Sequence, residues 1–142
     1  MCLTNCCLIH QDEPIKCYKV LIQDGAWYQV KTFRSAFVTN FHYRIGETYN
    51  ENEQSYYERF LNFIEDSYFH SFKYLEDCYT CIDTYPKYVL GKHQKLVIVE
   101  CEIPIDSVCY AGKFLYWAYV QNGISAHCAY ASKSITIKRI IK

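Results

Sequence analysis

The chain has 142 residues, of which 51% are hydrophobic and 18% aromatic, and it contains 15 tyrosines and 9 cysteines. This length favours one domain with a substantial core, and this composition excludes an intrinsically disordered segment. Fifteen basic residues balance fifteen acidic ones. The balance argues against general nucleic-acid binding, because proteins of that class carry an excess or a stripe of positive charge.

The compartment is indicated by what the sequence lacks. No apolar run approaches the ~20 residues of a membrane span, so we expect no membrane association. The N-terminal stretch MCLTNCCLIHQDEP has neither the basic start nor the long apolar segment of a secretory signal. We therefore expect a cytoplasmic protein whose nine cysteines are reduced and form no complete disulfide framework.

The first third of the chain predicts short strands after a loosely organised N-terminal segment, residues 1–14. Asp24-Gly25 supplies a hairpin turn between the first two strands, and Gly46 ends the third. The three predicted strands are KCYKVLI at 16–22, AWYQVKTF at 26–33 and FHYRI at 41–45.

The middle of the chain predicts two helices separated by an extended stretch. Asn50 and Glu53 resemble a helix N-cap with its capping-box partner, and apolar residues then recur with helical spacing. We expect a helix at 52–65 and a second at 73–83. Between them, YFHSF at 68–72 predicts a short extended segment.

The last third of the chain predicts a series of strands. KLVIVECEI at 95–103 is the strongest strand signal, and Pro104 ends it. Further strands are expected at 106–110 and 114–120 around Ala111-Gly112, after the Asn122-Gly123 hairpin turn, and at 134–141. Together the elements predict an α+β fold, one domain over residues 1–142, with a mostly antiparallel sheet and about two helices.

The polar pair inside YFHSF is a candidate site. Adjacent strand residues point to opposite faces, so His70 and Ser71 cannot easily share a proton and do not form a catalytic dyad. Two interpretations stay open: His70 satisfies a backbone carbonyl beside a packed core, or it lines a pocket. If there is a pocket, we expect a ligand to be bound by Phe69, His70, Ser71, Tyr130 and Ser132.

A second candidate is the strand sequence Glu100-Cys101-Glu102. Alternation places both glutamates on one face and Cys101, with an apolar set, on the core face. The two carboxylates either open into a cleft near YFHSF or are solvated and paired with a Lys or Arg. In arrangement only, the Glu-x-Glu strand resembles that of ADP-ribosyltransferases, in which a strand glutamate orients a ribose hydroxyl. The resemblance implies catalytic roles for Glu102, Glu100 and His70, although the partner motifs of that family are missing at matching places.

The stretch Cys78-Tyr79-Thr80-Cys81 is a C-x-x-C motif. A zinc site needs a second ligand pair, and neither the N-terminal cysteines nor His127-Cys128 forms a clean one. On a helix, Cys78 and Cys81 lie on one face, where small thiols pack as apolar residues. We therefore expect no metal and no cofactor.

The aromatic surplus suggests either an aromatic-rich core or a partner surface. Tyrosine and tryptophan give large, rigid contact areas with a polar tip, which protein interfaces favour. Trp117 and Tyr119 share one face of the strand before Asn122-Gly123. If this face is not covered by the core, we expect Trp117 and Tyr119 to contact a protein partner.

Several stretches also occur together in a distinctive order: MCL, IKCYKVL, FHYRIGETY, FHSF, VIVECEIP, CYAG and YASKSITIKRII. Over residues 1–141 this set resembles a family of small uncharacterised proteins from Bacteroidales gut bacteria, their phages and some large DNA viruses. The family has a glycine where this chain has Tyr68. The resemblance implies a phage or mobile-element setting and the cytoplasm of a bacterial host, or a host-cell cytosol, but it implies no specific activity.

Taken together, the sequence favours a non-enzymatic binding module for a host protein or for a small anionic, nucleotide-like ligand. Its mechanism would be burial of aromatic side chains with a few polar groups that fix orientation. Two alternatives stay open: an ADP-ribosyltransferase-like enzyme that uses a strand glutamate, and a structural subunit that forms oligomers.

Overall fold

The structure, a computed structural model, describes residues 2–25, 32–35, 42–50, 68–115 and 125–141. Within these ranges it contains ten strands, one α-helix (α1, Leu75–Thr84) and a short 3₁₀ turn (Lys87–Val89). The strands are β1 Cys2–Ile9, β2 Ile15–Asp24, β3 Thr32–Ser35, β4 His42–Tyr43, β5 Thr48–Asn50, β6 Phe69–Phe72, β7 Gln94–Ile103, β8 Cys109–Leu115, β9 Ser125–Ser132 and β10 Ser134–Ile140.

All ten strands belong to one sheet, and every described pairing is antiparallel. The strand order is β1-β8-β9-β6-β2-β7-β10-β5, and β3 joins β2 to β4. The centre is the long pair β2–β7, which runs from Ile15 opposite Ile103 to Asp24 opposite Gln94. Runs of β-branched residues make these two strands suitable for burial on both faces.

One face of the sheet, here called the inner face, encloses the larger core. It carries Cys17 and Leu21 of β2, and their alternation partners on the neighbouring strands are also buried. The Tyr43 ring meets the rings of both Tyr49 and Phe69, at centroid distances of 5.2 and 6.5 Å. Since three strands separate β5 from β6 in the sheet order, these contacts require the sheet to curl around the inner face.

The opposite, outer face is covered by α1, which lies over β2 and β6. The helix presents Cys78 and Cys81, three residues apart and therefore on one side, to a second core cluster. Ala129 and Ala131 of β9 are fully buried in the same cluster. These small side chains let the helix lie close to the sheet, so the two cysteines serve as packing residues.

The predicted antiparallel sheet is confirmed, but the α+β assignment is not. Within the described residues the fold is mainly β, with one α-helix where about two were expected. The predicted helix at 73–83 corresponds to α1, whereas the one at 52–65 lies outside the described residues. That the chain forms one domain stays a prediction.

Two local expectations were wrong. The N-terminal segment is not loosely organised over its whole length, because Cys2–Ile9 forms β1 and pairs with β8. Ala111-Gly112 does not separate two strands, because β8 runs through both residues. The pairing of β8 with β9 instead shifts register between Gly112 and Phe114, so the glycine accompanies a bulge and not a turn.

Among the described residues, no helix combines the length and the apolar character needed to cross a bilayer.

Candidate ligand-binding site

Four of the five predicted ligand-binding residues come together on the inner face. The pairing of β6 with β9 sets Phe69 opposite Ser132, and Ser71 opposite Tyr130. All four side chains are buried. Direct cross-strand neighbours have Cβ atoms ~5 Å apart, so the four residues form a continuous patch.

His70, the fifth residue, lies on the outer face and is half-buried. Its Nδ1 atom is 2.9 Å from the carbonyl oxygen of Tyr68. The geometry therefore fits the interpretation in which the imidazole satisfies a nearby carbonyl. The sheet separates this ring from the hydroxyl of Ser71, as strand alternation requires.

The two glutamates also lie on the outer face. Glu100 has a side chain that is 13% exposed, with Lys16 at 2.8 Å and the Nε atom of Arg139 on its other oxygen. Hydrogen bonds from Lys16 and then Arg139 lower the pKa of the Glu100 carboxyl. Glu102 is half-buried, opposite Lys16 on β2 and Thr136 on β10.

The structure therefore does not assemble the expected cleft. Glu100, Glu102 and His70 share the outer face, whereas Phe69 and Ser71 face the inner core. The carboxylate of Glu100 is engaged by two cations, which fits the solvated, ion-paired interpretation of the Glu-x-Glu strand.

A lysine that the sequence analysis did not single out completes the inner-face patch. Lys19 of β2 is 7% exposed, and its ammonium donates a hydrogen bond to the carbonyl oxygen of His70. The same ammonium lies 5.5 Å from the centroid of the Tyr43 ring. Within the described part of the chain, no carboxylate lies within ion-pair distance of it.

The position of Lys19 follows from a fork in the sheet. Two strands pair with the same edge of β2. The strand β6 pairs with it through Phe72 opposite Tyr18, and β3 pairs with it from Ser35 opposite Leu21 onward. Lys19 lies between these two contacts, where β6 and β3 diverge. Its side chain reaches the backbone of β6 at this fork, since the lysine stem is long and flexible.

Ser71 is close to the same fork. It directly precedes Phe72, which pairs with Tyr18, the residue before Lys19. The Ser71 hydroxyl is buried and has no hydrogen-bond partner among the described residues. A buried hydroxyl without a partner costs ~1–3 kcal/mol, so this position favours a polar ligand atom.

Burial disfavours the charged forms of the Cys101 thiol, the Tyr43 hydroxyl and the Lys19 amine. Cys17 and Cys101 lie directly opposite each other on β2 and β7, and burial raises the pKa of the Cys101 thiol. Burial also raises the pKa of the Tyr43 hydroxyl. For Lys19 the same burial lowers the pKa, because it disfavours the charged form of an amine.

Cys78 and Cys81 form the C-x-x-C motif that was considered as a zinc site, and both are fully buried under α1. Burial raises the pKa of the Cys78 thiol, which disfavours the thiolate that metals bind. Among the described residues, no group of three or more His, Cys, Asp or Glu side chains is placed to hold a metal ion.

Trp117 and Tyr119, the predicted partner surface, lie outside the described residues.

Lys19 could have been identified from the sequence pattern of the stretch KCYKVLI. Alternation along this strand places it on the same face as Cys17 and Leu21. A lysine in phase with two core residues is unusual, because lysine is almost never fully buried without a partner.

No protein-family model, curated protein or solved structure matches this chain. A function for it therefore rests on the chemistry and geometry of the site.

Proposed function

We propose that this chain is a non-enzymatic binding module for a small anionic ligand. The ligand occupies the inner-face site, defined as Lys19 with the residues around it: Tyr43, Phe69, Ser71, Tyr130 and Ser132. Lys19 supplies the positive charge, Ser71 supplies a hydroxyl, and the aromatic rings supply the apolar walls. Such a mixture of apolar walls and a few polar groups is typical of small-molecule sites.

The observation that carries the proposal is the buried Lys19 ammonium with no carboxylate partner among the described residues. Buried charges are normally paired, because removing an ammonium from water costs several kcal/mol. One backbone carbonyl and the face of Tyr43 offset part of this cost. An anion at the site would supply the missing charge partner, and a lysine ammonium is a common phosphate-binding group.

The neighbouring hydroxyl supports the same proposal. Ser71 has a buried oxygen without a partner in the described residues. It directly precedes Phe72, which pairs with Tyr18 next to Lys19. A phosphate or carboxylate oxygen accepts hydrogen bonds from both a hydroxyl and an ammonium. One anionic group would therefore pair with the Lys19 ammonium and accept a hydrogen bond from Ser71. Both side chains are costly to bury without a partner.

The enzyme alternative has less support. An ADP-ribosyltransferase-like reaction needs a free strand carboxylate in a cleft, but Glu100 is paired with Lys16 and Arg139. Glu102 lies on the same outer face, whereas Phe69 and Ser71 face the inner core. The host-protein alternative depends on Trp117 and Tyr119, and the oligomer alternative depends on surfaces beyond the site. Both stay predictions, as do the cytoplasmic location and membership of the Bacteroidales and phage family.

The proposal is tested by thermal unfolding of the wild type with inorganic phosphate, pyrophosphate, mononucleotides and small carboxylates. Lys19→Met removes the buried cation, and Lys16→Met removes an exposed cation from the same strand on its other face. An anion that binds the folded state raises Tm in proportion to ligand excess over Kd. We expect an anion-induced rise in wild type and Lys16→Met, and none in Lys19→Met. An equal rise in all three proteins, or no rise with any anion, would contradict the proposal.

A further inference from the structure

We infer that two copies of this chain associate through the outer edge of β1, which pairs antiparallel with its own copy across a two-fold axis. The strand is the last one in the sheet order, and among the described residues it pairs only with β8. A strand at the end of a sheet presents a row of backbone N–H and C=O groups to which a further strand can be added. The inference is independent of the anion site and concerns a different part of the sheet.

The strand β1 lacks the features that usually protect such an edge. Edge strands in native proteins are often very short, or they carry charged side chains or prolines that prevent pairing with another chain. β1 has eight residues, and its sequence CLTNCCLI contains neither a charge nor a proline. Its pairing with β8 shifts register between Thr4 and Cys7 and is regular again over residues 7–9. At the other end of the sheet order, β5 has only three residues, so the β1 end is better suited to accept a strand.

Exposed apolar side chains lie beside this edge. Leu8 is 51% exposed and lies opposite Tyr110 of β8. Val108, two residues before Tyr110, is a diagonal neighbour of Leu8 and is also exposed. Ile105 is exposed in the preceding turn. These three residues, Leu8, Ile105 and Val108, are here called the edge patch, and they provide apolar area that a second molecule would bury.

The side chain of Gln11 holds the edge patch in place. Its Nε2 atom lies 2.7 Å from the carbonyl oxygen of Pro104 and 3.1 Å from the carbonyl oxygens of both Ile105 and Ser107. These contacts tie the segment after β1 to the turn that precedes β8. A surface that is already ordered before association loses less conformational entropy when a partner binds.

Charge and symmetry favour a second copy of this chain as the partner. A two-fold axis at the edge sets β1 antiparallel to itself, and every described pairing in this sheet is antiparallel. Because β1 has no charged residue, self-pairing places no like charges opposite each other. The chain has no net charge, so two copies do not repel each other at long range. We place the axis nearest Leu8, so that the Leu8 side chains of the two copies pack together.

The test is sedimentation velocity of the wild type under reducing conditions, from low to high micromolar concentration. We expect a monomer–dimer equilibrium. Leu8→Lys places two like charges together at the axis and should raise the Kd of the dimer at least roughly tenfold. The matched control is Val89→Lys, at a side chain 47% exposed and outside both β1 and the edge patch, which should leave the Kd unchanged. If circular dichroism shows that Leu8→Lys does not fold, Val108→Lys takes its place with the same expected loss.

Hydrogen exchange then tests whether the dimer uses the strand itself. Backbone amides of residues 7–9 that form new hydrogen bonds should exchange more slowly at concentrations where the wild type is dimeric. A wild type that stays monomeric would overturn the inference, as would species that keep growing beyond two copies. A dimer that the lysine variant does not weaken, or that leaves exchange in β1 unchanged, would overturn it as well.

Discussion

Replacing Lys19 with methionine tests how the buried amine affects the stability of the fold. Methionine has a similar length and removes the ammonium, so the change eliminates the charge with little change in volume. It also removes the hydrogen bond to the His70 carbonyl and the contact with the Tyr43 ring. The strength of both contacts and the cost of burying the ammonium depend on the charge of Lys19, and therefore on pH.

The pH dependence follows from the direction of the pKa shift. In the folded state the pKa of Lys19 lies below its ordinary value of 10.5, because burial disfavours the ammonium. Between the folded-state value and 10.5, the unfolded chain holds one more proton than the folded chain at this residue. The free energy of unfolding of the wild type therefore rises through this window, by about 1.4 kcal/mol per pH unit from Lys19 alone. The methionine variant has no such contribution.

Urea unfolding of both proteins under reducing conditions, from neutral pH upward, measures this contribution. Buried thiols and tyrosines titrate in both proteins, so their effects largely cancel in the difference. We expect the stability of Lys19→Met relative to wild type to be highest at the acid end of the window and to fall as the pH approaches 10.5. Parallel stability profiles would show that Lys19 titrates as an exposed lysine and would contradict the burial of its amine.

Three further predictions concern the rest of the fold. Ile137→Ala in the inner core should lower the free energy of unfolding in urea by ~2–5 kcal/mol. Ile140→Ala, at a side chain 42% exposed, should change it by less than about 0.5 kcal/mol. Similar losses in the two variants would contradict the assigned core. The lowered pKa of Glu100 stabilises the fold above its ordinary value of 4.5, and this stability is lost as the pH falls through the folded-state value. Glu100→Gln should therefore flatten the acid side of the stability profile, and an unchanged acid side would argue against the ion pairs. Iodoacetamide mapped by mass spectrometry should label exposed Cys7 well before the buried thiols, and equal labelling would contradict their burial. The buried thiols are Cys17, Cys78, Cys81, Cys101 and Cys109.

The strands with the clearest local pattern were the most predictable. The apolar alternation of 95–103 gave β7 to within one residue, and the core side of that strand was assigned correctly from Cys101. The N-terminal strand β1 was missed because CLTNCCLI has no strong alternation. Its stability as a strand depends on pairing with β8, at least one hundred residues away in the sequence.

The candidate site was predictable in part for the same reason. Strand alternation alone places Ser71 and His70 on opposite faces of the sheet. The register of β6 with β9 then sets Ser71 opposite Tyr130. Lys19 was missed because its role depends on where β6 and β3 diverge from β2, which is a tertiary feature. Alternation with Cys17, two residues before it, was enough to predict the face on which Lys19 lies. The fork that lets the buried amine reach a backbone carbonyl could not be predicted from the sequence.

The most direct test of the central claim is an NMR titration of the Lys19 side chain, followed by its ε-carbon resonance with and without inorganic phosphate. The resonance is assigned by its absence in Lys19→Met. We expect a pKa below 10.5 for Lys19 in the free protein, and a rise in that pKa when phosphate binds beside the ammonium. A lysine that titrates at its ordinary value and does not respond to phosphate would contradict both the buried amine and the anion site.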